Sequence, residues 1–256
     1  MTETVRTHRW PLTDYGPALR WQQATANNVR AGGEEALALL QHPPVYTLGR
    51  RVRTNHLLAA AANLRARGAE VIETDRGGDI TFHGPGQLVA YPILDLHRHG
   101  LGAVDYIRAL EETMIRTLSR FGIQASRLAG FPGVWVVSGP LSPWERVRER
   151  ALLTAPETIS GRAKIGAVGV HVQGGVTTHG LALNVDVDLA WYDAIVPCGI
   201  AGASVTSMQR ILGASPGIEA VTSVFEAEFA SVFEVTLVTP SPEAGREQGV
   251  EFAHAR

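Results

Sequence analysis

Apolar positions along this chain switch repeatedly between a spacing of three and four and a two-residue alternation, the periods of helix and strand. Val104, Ile107, Leu110, Met114 and Leu118 form the clearest amphipathic stripe, predicting a helix over 104–121 that Gly122 stops. Asp14 is placed to cap a helix running to about Arg30, closed by Gly32 and Gly33, and residues 218–233 read as another long helix. Asn55 reads as the cap of a helix over 56–66 ended by Gly68. Strand-like runs fall at 36–40 and 45–48, separated by Pro43-Pro44, and at 69–73, 88–94, 134–137 and 235–238. Runs at 164–172 and 176–187 flank Gly174-Gly175 and predict a hairpin. Ile195-Val196 reads as a strand end entering a loop at Pro197-Cys198-Gly199. Residues 138–162 break the pattern with Gly139-Pro140, Ser142-Pro143, a charged run from Glu145 to Arg150, and Pro156; they read as an exposed, mobile insertion. From Thr239 the chain reads as a frayed tail over 239–256. No repeat or composition boundary divides it. The expectation is one α+β domain over 1–238, with a mixed, mostly antiparallel sheet packed with helices.

Composition narrows the class. A chain of 256 residues can bury a sizeable core, and a net charge of −2 gives no general pull toward nucleic acid or anionic lipid. Met1 to Asp14 lacks the apolar run of a signal peptide, and no apolar run reaches membrane-spanning length. One cysteine excludes an internal disulfide and a Cys-cluster zinc site and fits a reducing compartment, so a cytoplasmic location is expected. The nine histidines are scattered; His97 and His99 lack an obvious third ligand, and no metal is expected. The usage of basic residues is more informative. Of 23 Lys and Arg, only Lys164 is lysine. Arg stays charged, whereas Lys shifts its pKa readily when desolvated. The one thiol, Cys198, would react as a thiolate, which a nearby base or cation favours.

Four segments concentrate candidate chemistry. The first runs from Arg76 through Gly77, Gly78, Asp79, Ile80, Thr81, Phe82 and His83 to Gly86-Gln87, four glycines in twelve residues. Its shape suits either a close backbone approach to a ligand, with the Arg76 fork on an oxyanion or carbonyl, or an ordinary Gly-rich hairpin. It is neither a dinucleotide fingerprint nor a P-loop. The second is Lys164-Ile165-Gly166-Ala167-Val168-Gly169, where strand alternation puts Lys164 and Gly166 on one face and small residues leave room beside the backbone. The third is His179-Gly180-Leu181-Ala182-Leu183-Asn184, a core strand in which His179 is either a satisfied core residue or a catalytic one. The fourth, Pro197-Cys198-Gly199, sets the thiol on a constrained turn that exposes sulfur.

Taken together, Arg76-Gly77-Gly78, Thr81-Phe82-His83, Gly86-Gln87 with Tyr91, Lys164 to Gly169, His179 to Asn184 and Pro197-Cys198-Gly199 resemble the signature of the lipoate biosynthesis octanoyltransferases, or lipoyl(octanoyl) transferases. The resemblance spans roughly positions 35–212. It implies the fold of biotin and lipoate protein ligases and a reaction without a cofactor. An octanoyl group would leave its thioester on acyl carrier protein and rest on Cys198. It would then pass to a specific lysine of the lipoyl domains of 2-oxoacid dehydrogenases or of glycine cleavage H protein. The resemblance casts Lys164 as the residue that lowers the thiol's pKa and handles protons. It places substrate contacts at Arg76 to His83, Ala167, Val168, Gly169, Gly180, Leu181 and Ala182.

The chemistry is consistent with such a set of residues. Thioester exchange is nearly isoenergetic and amide formation runs downhill, so neither half needs ATP. Each needs an activated nucleophile and donors for a tetrahedral oxyanion, for which backbone N–H groups near Cys198 and at the Gly77-Gly78 turn are candidates. An octanoyl tail has about six methylenes to bury, worth about 5 kcal/mol at ~0.8 kcal/mol each, with Gly166, Ala167, Gly169 and Ala182 as candidate lining. Arg50, Arg51 and Arg53, or Arg146, Arg148 and Arg150, could meet an acidic carrier protein. The residues do not separate Lys164 as neutral base from Lys164 as cation. Two rivals stand beside this reading: an ATP-dependent lipoate or biotin ligase on the same fold, and a non-catalytic module that binds an acyl carrier.

Overall fold

In the computed structural model, which describes residues 2–52, 56–137, 161–196 and 204–239, the chain runs β1 (Thr4–Leu12), α1 (Tyr15–Arg30), β2 (Glu35–Gln41), β3 (Val45–Leu48), α2 (Ala61–Ala66), β4 (Glu70–Glu73), β5 (Ile80–His83) and β6 (Gln87–Ile93). It continues through α3 (Ala103–Arg120), β7 (Ser126–Leu128), β8 (Phe131–Val137), β9 (Arg162–Gln173), β10 (Val176–Asn184), a 3-10 turn (Leu189–Ala194), β11 (Ser204–Val205), α4 (Met208–Leu212), α5 (Ile218–Phe233) and β12 (Thr236–Val238). A large mixed sheet is ordered β12-β1-β2-β6-β10-β9-β8-β7, with β11 also on β9. β1 is parallel to both β12 and β2, β11 is parallel to β9, and the other pairs are antiparallel. A separate sheet is ordered β4-β3-β5. The expected α+β class and mostly antiparallel mixed sheet are what the structure has.

Alternation explains the layers. On β2, Leu37 and Leu39 enter one core while Ala36, Ala38 and Leu40 enter another; on β6, Leu88 and Ala90 divide from Val89, Tyr91 and Ile93 in the same way. The first face is covered by α3 and α5, through Leu110, Met114, Leu118, Phe225 and Phe229. The second is covered by α1, through Ala18, Trp21, Ala26 and Val29. With both faces covered, the central strands read as apolar runs rather than clean alternation. A third core, with Tyr46, Phe82, Ile80 and Tyr192, joins the small sheet to the 3-10 turn.

Several expectations change. The N-terminal segment, to which the sequence reading assigns no element, is β1, whose alternate side chains Val5 and Thr7 are buried. The helix expected over 56–66 is confined to Ala61–Ala66. Residues ahead of it bond elsewhere: Leu58 and Ala59 donate to the Ala194 carbonyl, Val196 donates to the His56 carbonyl at 2.8 Å, and Leu57 bridges Ile195. A backbone satisfied by a distant strand has no need of helical partners. β7 was not foreseen, and β10 ends at Asn184 rather than 187. The expected cap Asn55, nearly all of the 138–162 insertion and residues 240–256 of the tail lie outside the described residues.

β10 and β6 approach closely at one point. A Cβ on Gly180 would lie 2.1 Å from the Ala90 carbonyl oxygen. Backbone cannot retreat there without opening the ladder, so Gly180→Ala is expected to cost about 3 kcal/mol or more, above the ~1–3 kcal/mol typical of overpacking. Chemical denaturation checks this; a midpoint equal to wild type would mean the strands separate freely.

Candidate active site

A cavity of about 520 Å³ opens where β5 and the loop before it face β9 and β10. That volume suits a small organic ligand. Its wall holds Lys164 and, of the expected contact residues, Arg76, Gly77, Gly78, Asp79, Ile80, Thr81, His83, Ala167, Val168, Gly169, Gly180, Leu181 and Ala182. Phe82 is the exception. It is fully buried in the third core and stacks on Trp191 at 5.4 Å between ring centres, because β5 alternation turns it away from the wall. Residues not foreseen as contacts also line the cavity: Tyr15, Arg51, His56, Tyr91, Ile107, Gly130, Phe131, Pro132, Val170 and His179. Tyr91 and His179 stand in segments that carry the resemblance and Arg51 in a basic cluster; the others come from scattered parts of the chain with no motif to mark them. The expected nucleophile Cys198 lies outside the described residues, as do Arg53, Arg146, Arg148 and Arg150.

Lys164 sits near the start of β9, between β8 and β11, pairing Trp135 on one side and Val205 on the other. Trp135 opposes Lys164 but Val134 opposes Gly166, so β9 carries one extra residue there, a bulge. The extra residue reverses alternation, and the expectation that Lys164 and Gly166 share a face is overturned. A Cβ on Gly166 would lie 2.6 Å from Met114 Sδ, in the core beneath α3. Lys164 instead turns to the other side, where its Nζ donates to the Pro132 carbonyl at 2.7 Å and lies 4.9 Å from the centre of the Trp135 ring. Gly166 is accordingly absent from the main cavity's lining.

Gly133 makes room for this amine. Its φ is +111°, and a Cβ there would fall 2.5 Å from the Gly166 carbonyl oxygen and 3.3 Å from Lys164 Nζ. The Gly133 N–H donates to Glu111 Oε1 on α3 at 2.8 Å, and Arg127 Nε lies 3.2 Å from the same carboxylate. The Pro132 carbonyl that receives Lys164 is thus fixed from the helix layer.

The Arg76 loop is held as firmly. Arg76 Nε donates to Thr47 Oγ1 at 3.0 Å, Nη1 to the Gly77 carbonyl at 3.0 Å, and Nη2 to the Thr47 carbonyl. Much of its fork thus shapes the loop. The Gly77 N–H donates to the Val170 carbonyl at 2.9 Å and is spent. The Gly78 N–H has no partner among the described residues, so of the two it is the candidate oxyanion donor.

Imidazoles and phenols fill the wall and the layer behind it, where His42 is buried. His42 donates from Nδ1 to the Thr13 carbonyl at 2.6 Å, and the Tyr91 hydroxyl donates to its Nε2 at 2.7 Å. Burial holds the His42 pKa down to about 4. His83 Nδ1 donates to Gln87 Oε1 at 2.7 Å, and burial, with the His42 ring next, brings its pKa down to about 3. Burial pushes the Tyr15 phenol up to about 12. His179 has a φ of +59°, rare for a side chain with a Cβ, and its N–H donates to Gln22 Oε1 of α1. Its Nε2 meets Asp75 Oδ1 at 2.7 Å and its Nδ1 lies 3.5 Å from the Tyr15 hydroxyl. Burial lowers the His179 pKa against the opposing pull of Asp75. His56 Nδ1 bonds Asp79 Oδ2 at 2.6 Å.

No group of three or more His, Cys, Asp or Glu placed to hold a metal occurs among the described residues. No helix of the described residues is long and apolar enough to cross a membrane.

Residues 14–230 match the family described as the lipoyl protein ligase A/B catalytic domain. An octanoyltransferase of Chloroflexus aurantiacus is 45% identical over 224 residues, covering 87% of this chain and 89% of that protein. Among solved structures, a lipoate-protein ligase A bound with ATP superposes with a TM-score of 0.65 at 15% identity, over 97% of this chain and 93% of the other. A bipartite lipoate protein ligase from Thermoplasma acidophilum, solved with its E2 lipoyl domain, gives 0.60 at 13% identity, over 97% and 91%. At such identities the likeness is one of fold.

The two neutral imidazoles make stability depend on pH. An unfolded histidine takes a proton near pH ~6.5, whereas the folded chain keeps His42 and His83 neutral to much lower pH. Their contribution is complete above that unfolded value and is lost as pH falls toward the folded values, at about 1.4 kcal/mol per pH unit for each. Denaturation midpoints should therefore fall between pH ~6.5 and ~4.5, and His83→Gln should reduce the slope by about one proton. An unreduced slope would mean His83 is protonated in the fold.

Proposed function

The chain belongs to the octanoyltransferases built on the lipoyl protein ligase A/B catalytic domain, and from that premise we propose that it moves an octanoyl group from octanoyl-acyl carrier protein to a lysine of lipoyl domains through a thioester on Cys198. The observation that carries this reading is the placement of the chain on either side of residues 197–203. Val196 is bonded to His56, and Thr206 donates to the Lys164 carbonyl at 3.0 Å; both partners line the cavity. Cys198 follows Val196 by two positions in the sequence, and the described chain on either side of residues 197–203 meets the wall that holds Lys164.

In the first half-reaction the Cys198 sulfur, its proton taken up by Lys164, attacks the thioester carbonyl. The oxyanion is met by backbone N–H groups, with Gly78 a candidate, and the carrier's thiolate leaves with a proton from Lys164. In the second half the acceptor amine attacks the new thioester, and Cys198 is released as the thiol. Ala167, Val168, Gly169, Gly180, Leu181 and Ala182 give the acyl chain an apolar trough. Arg76 shapes the loop opposite, with Gly77, Asp79, Ile80, Thr81 and His83 beside it. Phe82 supports this wall from behind. Exposed Arg50 and Arg51 suit an acidic carrier protein at the mouth. Lipoyl domains of 2-oxoacid dehydrogenases and glycine cleavage H protein are the acceptors in this reading. It places the reaction in the cytoplasm, in a catalytic domain over residues 1–238, as the first step of endogenous protein lipoylation.

Having a single thiol makes the test direct. Incubation with octanoyl-acyl carrier protein, without ATP, should give an octanoyl adduct by intact mass that hydroxylamine removes and Cys198→Ser abolishes. No adduct, or one that survives the substitution, refutes the thioester; transfer that requires ATP points to a ligase. Lys164→Arg keeps the charge but cannot cycle a proton, so transfer should fall by about 100-fold or more. Wild-type rates in that variant would reduce Lys164 to a point charge.

A further inference from the structure

The proposed reaction leaves one proton without a carrier. An acceptor lysine arrives as an ammonium, which has no lone pair for attack and must lose two protons to become an amide, whereas Lys164, neutral once the carrier's thiol has left, relays only one, to the departing sulfur. Three histidines line the cavity. His179 has its Nε2 on Asp75 and its Nδ1 near Tyr15. His83 is bonded to Gln87, and burial that holds its pKa near 3 makes it a poor acceptor for an ammonium proton. His56 differs from both. Its Nδ1 faces Asp79 Oδ2 at 2.6 Å, while Asp79 Oδ1 accepts the Ile80 N–H at 2.7 Å and so fixes the carboxylate. A carboxylate can only accept, so Nδ1 carries the hydrogen and the neutral ring's lone pair is on Nε2. That nitrogen has no partner among the described residues.

The backbone is tied as well. The His56 carbonyl accepts from Val196, and Leu57 to Ala59 are bonded to Ala194 and Ile195. His56 is thus fixed to the strand end that leads toward Cys198. The charged groups sharing its cavity are Asp79, Arg51, Arg76 and Lys164, of which Asp79 bonds the ring.

We infer that His56 is the general base for the acceptor amine and that Asp79 is its positioning residue. The inference rests on the thioester reading above. Of the three ammonium protons, one goes to His56 Nε2 and from there to solvent. The freed lone pair forms the C–N bond, and the C–S bond breaks with its electron pair on Cys198. A second proton reaches that sulfur through Lys164, and the third stays on the amide nitrogen.

The two half-reactions can be measured apart. Octanoylated enzyme, isolated free of donor, is mixed with a lipoyl domain and sampled by intact mass; formation of the adduct from octanoyl-acyl carrier protein is timed separately. His56→Ala should slow the transfer to the lipoyl domain by about 100-fold and adduct formation by less than about threefold. Added imidazole should restore transfer by about tenfold or more, which a merely structural loss would not allow. His56→Gln, as a second variant should the first fold poorly, should show the same split and lose the histidine limb of the pH–rate profile for transfer. Asp79→Asn should slow transfer by about tenfold and shift that limb. An unchanged transfer step, or equal loss in both steps without imidazole rescue, overturns the inference. If wild-type protein gives no adduct, the thioester reading is what fails. His56 is then judged by imidazole rescue of overall transfer, and absence of rescue overturns its role as base.

Discussion

One extra residue in β9 determines what the cavity can do. Without the bulge, Lys164 would share the face of Gly166 and its amine would point into the core beneath α3, against Met114. With it, the amine is carried to the opposite face and received by the Pro132 carbonyl and the face of Trp135. Burying an amine is costly unless a carbonyl and an aromatic face replace water, and the two contacts offset that cost. The constraint reaches into the helix layer, because Gly133 must keep a left-handed backbone and an N–H directed at Glu111.

Around that amine the wall is polar in its groups and largely neutral in its charges. His83 in the wall and His42 behind it stay unprotonated, Tyr15 and Tyr91 keep their protons, and each has a bonded or ring partner. Neutral, satisfied groups let a cavity accept an alkyl chain without leaving a buried charge exposed to it. Apart from Arg51, which is exposed, the charges that remain are committed: Arg76 to Thr47 and Gly77, Asp79 to His56 and Ile80, Lys164 to Pro132. Such commitments hold the side chains in place before any ligand arrives, so little reorganisation is left for the reaction.

The small sheet supplies the opposite side of the cleft. β3 holds β5 and, through Thr47, the Arg76 loop, while the segment from His56 to Ala59 is clamped to Ala194, Ile195 and Val196. Two distant stretches, the loop after β3 and the approach to Cys198, thereby become neighbours. This is why an acid–base pair 23 positions apart in sequence can form there.

Much of this protein was legible before its fold. The apolar stripe of α3, the hairpin of β9 and β10, and the segments from Arg76, Lys164 and His179 all express local periods or dense local motifs, which a linear reading detects. Lys164 and Cys198 stood out because each is the single residue of its kind. What tertiary structure alone decided is of another sort. β1 gave no sign of an element because half of it faces outward and its apolar alternation is weak. Residues 56–59 looked helical, but their real backbone partners lie more than a hundred positions away. Phe82 sat inside a binding motif yet turns into a core, and Gly166 turned away from the amine it was expected to accompany. Strand alternation can be read from a chain, but a bulge that reverses it, or a carboxylate that orients a distant imidazole, depends on which backbones meet, and only the folded packing sets that.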